Sequence, residues 1–153
     1  MKHTQEDIAW MTLAIEEAKT AFAQDEVPIG AIIVKDNTVI ARAHNQKEQH
    51  QVTTHHAEIL AIETACKKLQ TWRLQDCTLY TSLEPCIMCA GAIYQSRIAR
   101  VVYGAKDPKG GALGSLYDIS KDRRLNHKFK CDSGILSDTC SKLLKEFFEL
   151  KRQ

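Results

Sequence analysis

The sequence predicts a layered α/β domain, and three observations predict it. An apolar stripe at helical spacing opens the chain. Two short β-type runs follow, joined at Asp36-Asn37. Strand-like and helix-like segments then alternate to the end. The length of 153 residues suits one domain, residues 1–153, with a core of its own.

Thr4-x-x-Asp7 reads as a helix start, and Ile8, Met11, Ile15, Ala18 and Phe22 follow in steps of three and four. They form one stripe of a helix of about five turns, which Pro28 stops. Ile29–Val34 and Thr38–Ala43 are two short strands turning at Asp36-Asn37. A second helix starts at or near His56, with Ile59, Ile62, Cys66 and Leu69 as its stripe. Cys77–Thr81 reads as a strand. Pro85 suits the first turn of a third helix, where its missing N–H would be unpaired anyway. Ile98–Tyr103 is a fourth strand, and Gly104 to Gly114 a glycine-rich loop around Asp107-Pro108. A weak strand lies near Lys128–Cys131. Ser137-Asp138 caps a last helix that turns Cys140, Leu143, Phe147 and Leu150 inward.

No uninterrupted apolar run approaches the roughly 20 residues a membrane helix needs. The polar start MKHTQEDIAWM does not read as a signal peptide. The expected location is therefore cytoplasmic, with the six cysteines as thiols or metal ligands rather than disulfides. The net charge of +2 is unevenly spread: residues 106–130 hold seven Lys/Arg against three acidic residues. Such a segment meets a phosphate backbone or is simply a solvated face.

The chemistry concentrates in His56-Ala57-Glu58 and Pro85-Cys86-Ile87-Met88-Cys89. Cys86 and Cys89 stand three apart at a helix start, so both sulfurs face one side, where the helix dipole favours thiolate. With His56 they make three zinc-type ligands, and a catalytic zinc wants three plus water. Two thiolates and a neutral imidazole leave Zn²⁺ with no net charge. Such a zinc acidifies its water less than an all-histidine site does, so a nearby base helps. Glu58 fits that role: it takes a proton and passes it on to the leaving amine. Two other readings compete. One is a Cys-x-x-Cys redox pair. The other is a closed structural zinc site with Cys131 or Cys140 as fourth ligand. The two motifs together carry the general signature of zinc nucleobase deaminases.

The flanks narrow this further. VPIGA (Val27–Ala31), HAE, TLYTSLEPCIMCAGAI (Thr78–Ile93), SRIARVVYGAKDPKGG (Ser96–Gly111), GSLYD (Gly114–Asp118), LNH (Leu125–His127) and LLKEFF (Leu143–Phe148) together resemble the bacterial tRNA-specific adenosine deaminases of the cytidine-deaminase-like superfamily. The resemblance runs from Val27 to about Arg152. It implies a three-layer α/β/α cytidine-deaminase-like fold with a mixed central sheet of about five strands, forming one zinc-dependent deaminase domain. It implies hydrolytic deamination of adenosine to inosine at the wobble position of a tRNA anticodon, commonly of an arginine tRNA. It implies one Zn²⁺ per subunit on His56, Cys86 and Cys89, with Glu58 as the catalytic proton shuttle. By matching positions, Asn45 contacts the base, and Asp107 and Lys109 lie in the loop that meets the anticodon stem-loop. Ile29 lines the base pocket and Phe148, off the stripe of its helix, touches RNA. A homodimer is also implied. A deaminase of free nucleobases or nucleosides, of guanine or cytosine type, shares the metal motif and is the competing function.

One position departs from the pattern. Relatives usually have a small residue before the metal histidine, and here it is His55. The offset to Glu58 makes His56 the ligand.

Overall fold

The computed structural model describes residues 4–152. Along the chain come α1 (Gln5–Ala23), β1 (Gly30–Lys35), β2 (Thr38–His44), α2 (Lys47–His50), α3 (Ala57–Leu69), β3 (Thr78–Leu83), α4 (Ile87–Gln95), β4 (Arg100–Ala105), a 3-10 turn at Ile119–Lys121, β5 (Lys130–Ser133) and α5 (Ser137–Lys151). The strands form one mixed sheet in the order β2-β1-β3-β4-β5. β1 is antiparallel to β2 and β3, whereas β3, β4 and β5 run parallel. The expected three-layer α/β/α arrangement is therefore present.

Burial explains the strand sequences. β1 and β4 lie inside the sheet, covered on both faces, and read as nearly continuous apolar runs. Successive side chains go to opposite layers. Ile32, Val34, Tyr80 and Val102 pack with Met11, Ala14, Ile15 and Cys140 of α1 and α5. Ala31, Ile33, Leu79 and Val101 pack with Ala57, Ala61, Ala65, Ala90 and Ile93 of α3 and α4. Asp36 and Asn37 both take positive φ, 49° and 58°, as a two-residue hairpin turn requires.

α1 starts as expected, with the Thr4 hydroxyl accepting the Asp7 N–H at 3.0 Å. It ends at Ala23, short of Pro28. The other departures have local causes. Residue for residue, α3 buries Ala57, Glu58, Ala61, Ile62 and Ala65. Its small face lets the helix lie close on the sheet. Cys66 and Leu69 pack at the edge of that face, while Ile59 rotates off it. Pro85 precedes the helix rather than opening its first turn, because Cys86 is the N-cap. β3, β4 and β5 each begin one or two residues later than their apolar runs. In α5 the N-cap is Leu136 in the left-handed region, with no side-chain cap from Ser137-Asp138. Leu150, expected inward, is 56% exposed because the helix runs on past the last core contact at Phe147. The short α2 has no buried residue, so no apolar stripe announced it.

Candidate active site

Two helices begin at one place. His56 is the N-cap of α3 and Cys86 the N-cap of α4; both have extended backbones, and neither side chain caps its helix. An N-cap normally favours Ser, Thr, Asp or Asn, whose oxygen takes an orphan N–H; losing that bond costs about 1 kcal/mol. Here both N-cap side chains turn toward each other. His56 Nδ1 lies 3.7 Å from Cys86 Sγ and 3.5 Å from Cys89 Sγ. Ligands of one tetrahedral ion with bonds of about 2.0–2.3 Å lie roughly 3.5 Å apart, so this donor set fits a zinc-type ion, with histidine ligating through Nδ1. Among the described residues, His56, Cys86 and Cys89 form the one group of three metal-type ligands. Cys131 and Cys140 lie outside it, on β5 and α5, so neither supplies a fourth ligand.

Electrostatics agree with the geometry. A hydrogen bond with Cys89 holds the Cys86 thiol down at about 4, against burial, and His56 lowers it further. The same bond pushes Cys89 the other way, so the two sulfurs share one proton. A divalent cation held by this group would displace that proton and take both as thiolates.

Glu58 sits in the first turn of α3, two residues after His56, and is 3% exposed. Burial pushes its carboxyl up to about 7. Its Oε1 is buried without a hydrogen-bond partner. A buried acceptor left open is unusual and points to a group that arrives from outside.

A cleft of about 810 Å³ opens beside the cluster, and His56 lies on its wall. Leu83 and Ala105, the carboxyl ends of parallel β3 and β4, line it, as is usual for ligand sites of α/β sheets. Ile29, Asn45, Asp107, Lys109 and Phe148, drawn from four separate parts of the chain, all line this cleft. The Asn45 side chain donates to Val27 O at 3.4 Å and accepts from the Lys47 N–H at 3.2 Å. Asp107 Oδ1 accepts the N–H groups of Lys109 and Gly110, which turns the loop. Phe148 is 42% exposed, whereas Phe147 is buried and packs edge-on against Phe22. His55 is directed elsewhere, with its Nδ1 2.7 Å from His50 Nδ1.

Sequence reasoning missed several cleft residues. Lys47, Lys145 and Arg152 add cations to Lys106 and Lys109. Of the basic 106–130 segment, only Lys106 and Lys109 reach the cleft, and Lys128 and Lys130 line a different hollow. Glu26, 1% exposed, accepts the N–H groups of Glu48 and Gln49 and so ties α2 to the cleft. Glu84 does the same for the 107–115 loop. Burial alone would raise its carboxyl, but hydrogen bonds from Ser115, Asp107 and Leu113 hold it below the ordinary range.

Comparison with known proteins agrees with this geometry. The MafB19-like deaminase family matches residues 5–152. The tRNA-specific adenosine deaminase of Bacillus subtilis is 49% identical over 151 residues, covering 98% of this chain and 93% of that protein. A solved structure from a study of A-to-I editing by tRNA:A34 deaminases at the wobble position of transfer RNA superposes with a TM-score of 0.86. It is 43% identical and covers 89% of this chain and 99% of its own. The guanine deaminase of Nitrosomonas europaea is more distant, with 28% identity, a TM-score of 0.76, and coverage of 96% and 86%. With a His/Cys/Cys cluster at two facing helix starts and full-length likeness at this level, the chain belongs to the tRNA-specific adenosine deaminases.

Proposed function

We propose that this protein carries out zinc-dependent hydrolytic deamination of adenosine to inosine at the wobble position of a tRNA anticodon, with an arginine tRNA as substrate. The observation that carries the reading is the open, buried Oε1 of Glu58 beside a His/Cys/Cys cluster at the edge of a cationic cleft.

His56, Cys86 and Cys89 hold one zinc ion per subunit. When bound, the ion supplies an acidified water as nucleophile. Glu58 Oε1 accepts the first proton of the attacking water and hands it to the ring nitrogen of the base, then accepts the second from the added hydroxyl and delivers it to the departing amine. The balance is adenosine plus water giving inosine plus ammonia. Asn45 orients the base, whose face packs on Ile29. The target base must leave its stack to enter the cleft, at a cost of roughly a few kcal/mol. Phe148 offers a stacking surface to a neighbouring base. Lys109, Lys47, Lys145 and Arg152 meet backbone phosphates of the anticodon stem-loop, and Asp107 shapes the loop that touches it. We further propose that residues 1–153 act as one deaminase domain, working as a homodimer in the cytoplasm. Among the described residues, no helix is long and apolar enough to cross a membrane.

Deamination of free purine bases is the second reading, favoured by the likeness to guanine deaminase. The five cleft cations, Lys47, Lys106, Lys109, Lys145 and Arg152, have no use for a neutral base and favour RNA. The test incubates purified protein with total bacterial tRNA and, separately, with free nucleosides and bases. Inosine at position 34 of one arginine tRNA supports the proposal. Ammonia from free bases alone, with tRNA unchanged, contradicts it.

A further inference from the structure

Glu84 is among the most deeply buried charged side chains, at 2% exposure, yet it touches no part of the metal cluster in the hydrogen-bond network. Its carboxylate accepts four hydrogen bonds, all from one loop. Oε1 accepts the Asp107 N–H at 3.0 Å and the Ser115 hydroxyl. Oε2 accepts the Leu113 and Ser115 N–H groups, both at 3.0 Å. Gly111 lies flat against the carboxylate: a Cβ there would come within 2.2 Å of Glu84 Cδ. The neighbouring backbone is stitched to the same loop, with the Ala112 N–H on Pro85 O at 2.9 Å and a β-bridge between Cys86 and Gly111.

All four groups facing Glu84 are donors. Only an acceptor-only side chain satisfies them together, and a carboxylate is such a group. Burying that charge is expensive unless the bonds are complete, so the loop and Glu84 hold each other in one arrangement. One end of this loop is the cleft wall, Asp107, Pro108 and Lys109. The other end of the tie is the turn that delivers Cys86 to the metal cluster.

We infer that Glu84 is a positioning residue for substrate: it fixes the 107–115 loop so that Asp107 and Lys109 stand at a set height above the metal cluster, which determines how well the RNA loop seats. This rests on the proposed RNA substrate. Replacing Glu84 by Gln brings an amide N–H₂ against N–H donors and leaves at least one of them unpaired.

The test compares Glu84→Gln and the milder Ser115→Ala, which removes only the hydroxyl donor. Each is measured for zinc per chain, for amide hydrogen exchange across 107–115, and for kcat and KM on an anticodon stem-loop. The expected result for Glu84→Gln is retained zinc, exchange in the loop faster by tenfold or more, and KM raised about tenfold with kcat lowered less than threefold. Ser115→Ala moves the same way by a smaller factor, and it decides the matter alone if Glu84→Gln does not fold. Unchanged loop exchange overturns the inference, and so does a loosened loop with kcat reduced and KM unaltered. If the unaltered protein leaves the stem-loop unmodified, the functional reading fails instead, and the exchange measurement still tests the tie between Glu84 and the loop.

Discussion

The Nδ1 atoms of His50 and His55 lie 2.7 Å apart, and the two rings meet edge to face. One ring therefore donates to the other, and His55 is engaged away from the thiols. His56, the next residue, puts its own Nδ1 within 3.7 Å of both sulfurs. Because His56 is the N-cap, with an extended backbone, adjacent side chains diverge and only one of the pair faces the cluster. His56→Ala is expected to lose zinc and activity, whereas His55→Ala keeps about one zinc per chain. Metal analysis of the purified variants checks this, and equal zinc loss in both would refute the choice of ligand.

Arg100 grips Asp7 with two hydrogen bonds of 2.9 Å and also reaches Asp132, joining the first helix to two strands. The Arg100 guanidinium, helped by the Tyr80 hydroxyl, holds the Asp7 carboxyl well below the usual carboxylate range. A depressed carboxylate adds stability that is complete above its unfolded value, about 3.9, and is lost as pH falls toward the folded value. Asp7→Asn is expected to destabilise the fold at pH 7 by roughly 3 kcal/mol, the low end for a broken buried pair, because Arg100 keeps Asp132. The variant should also lose less stability than the parent between about pH 4 and pH 2. Urea unfolding at several pH values measures both. Equal acid sensitivity in the two proteins counts against the assignment.

The cleft cations predict a salt effect. Replacing Lys47, Lys145 or Arg152 by Ala is expected to raise KM for tRNA and to lower the salt slope of binding by about one each. Lys128→Ala and Lys130→Ala should change neither, since those side chains line another hollow. Binding titrations from low to moderate salt decide it. A larger loss from Lys128→Ala would mean that RNA follows a different face.

Much of this was legible in the sequence for a physical reason. Strands and helices announce themselves by period, and Asp36-Asn37 announces a turn by its tolerance of positive φ. The grouping of His56, Cys86 and Cys89 was legible because all three sit at helix starts, where spacing fixes which side chains share a side. Glu26 and Glu84 were not. Their work is to satisfy backbone N–H groups more than twenty residues away, and no local pattern records that. Lys145 and Arg152 carry no local signal of a cleft, and only the packing of α5 beside β4 turns them toward it. The left-handed Leu136 escaped notice because Ser137-Asp138 offered a more ordinary cap.

The central claim is that Glu58 moves the protons. Its most direct test is single-turnover deamination of a tRNA anticodon stem-loop by Glu58→Gln, with zinc content and RNA affinity measured on the same preparation. The expected result is a rate lower by about 10²–10⁴-fold or more, with zinc and RNA binding retained. Undiminished turnover by Glu58→Gln, with zinc still bound, would contradict it.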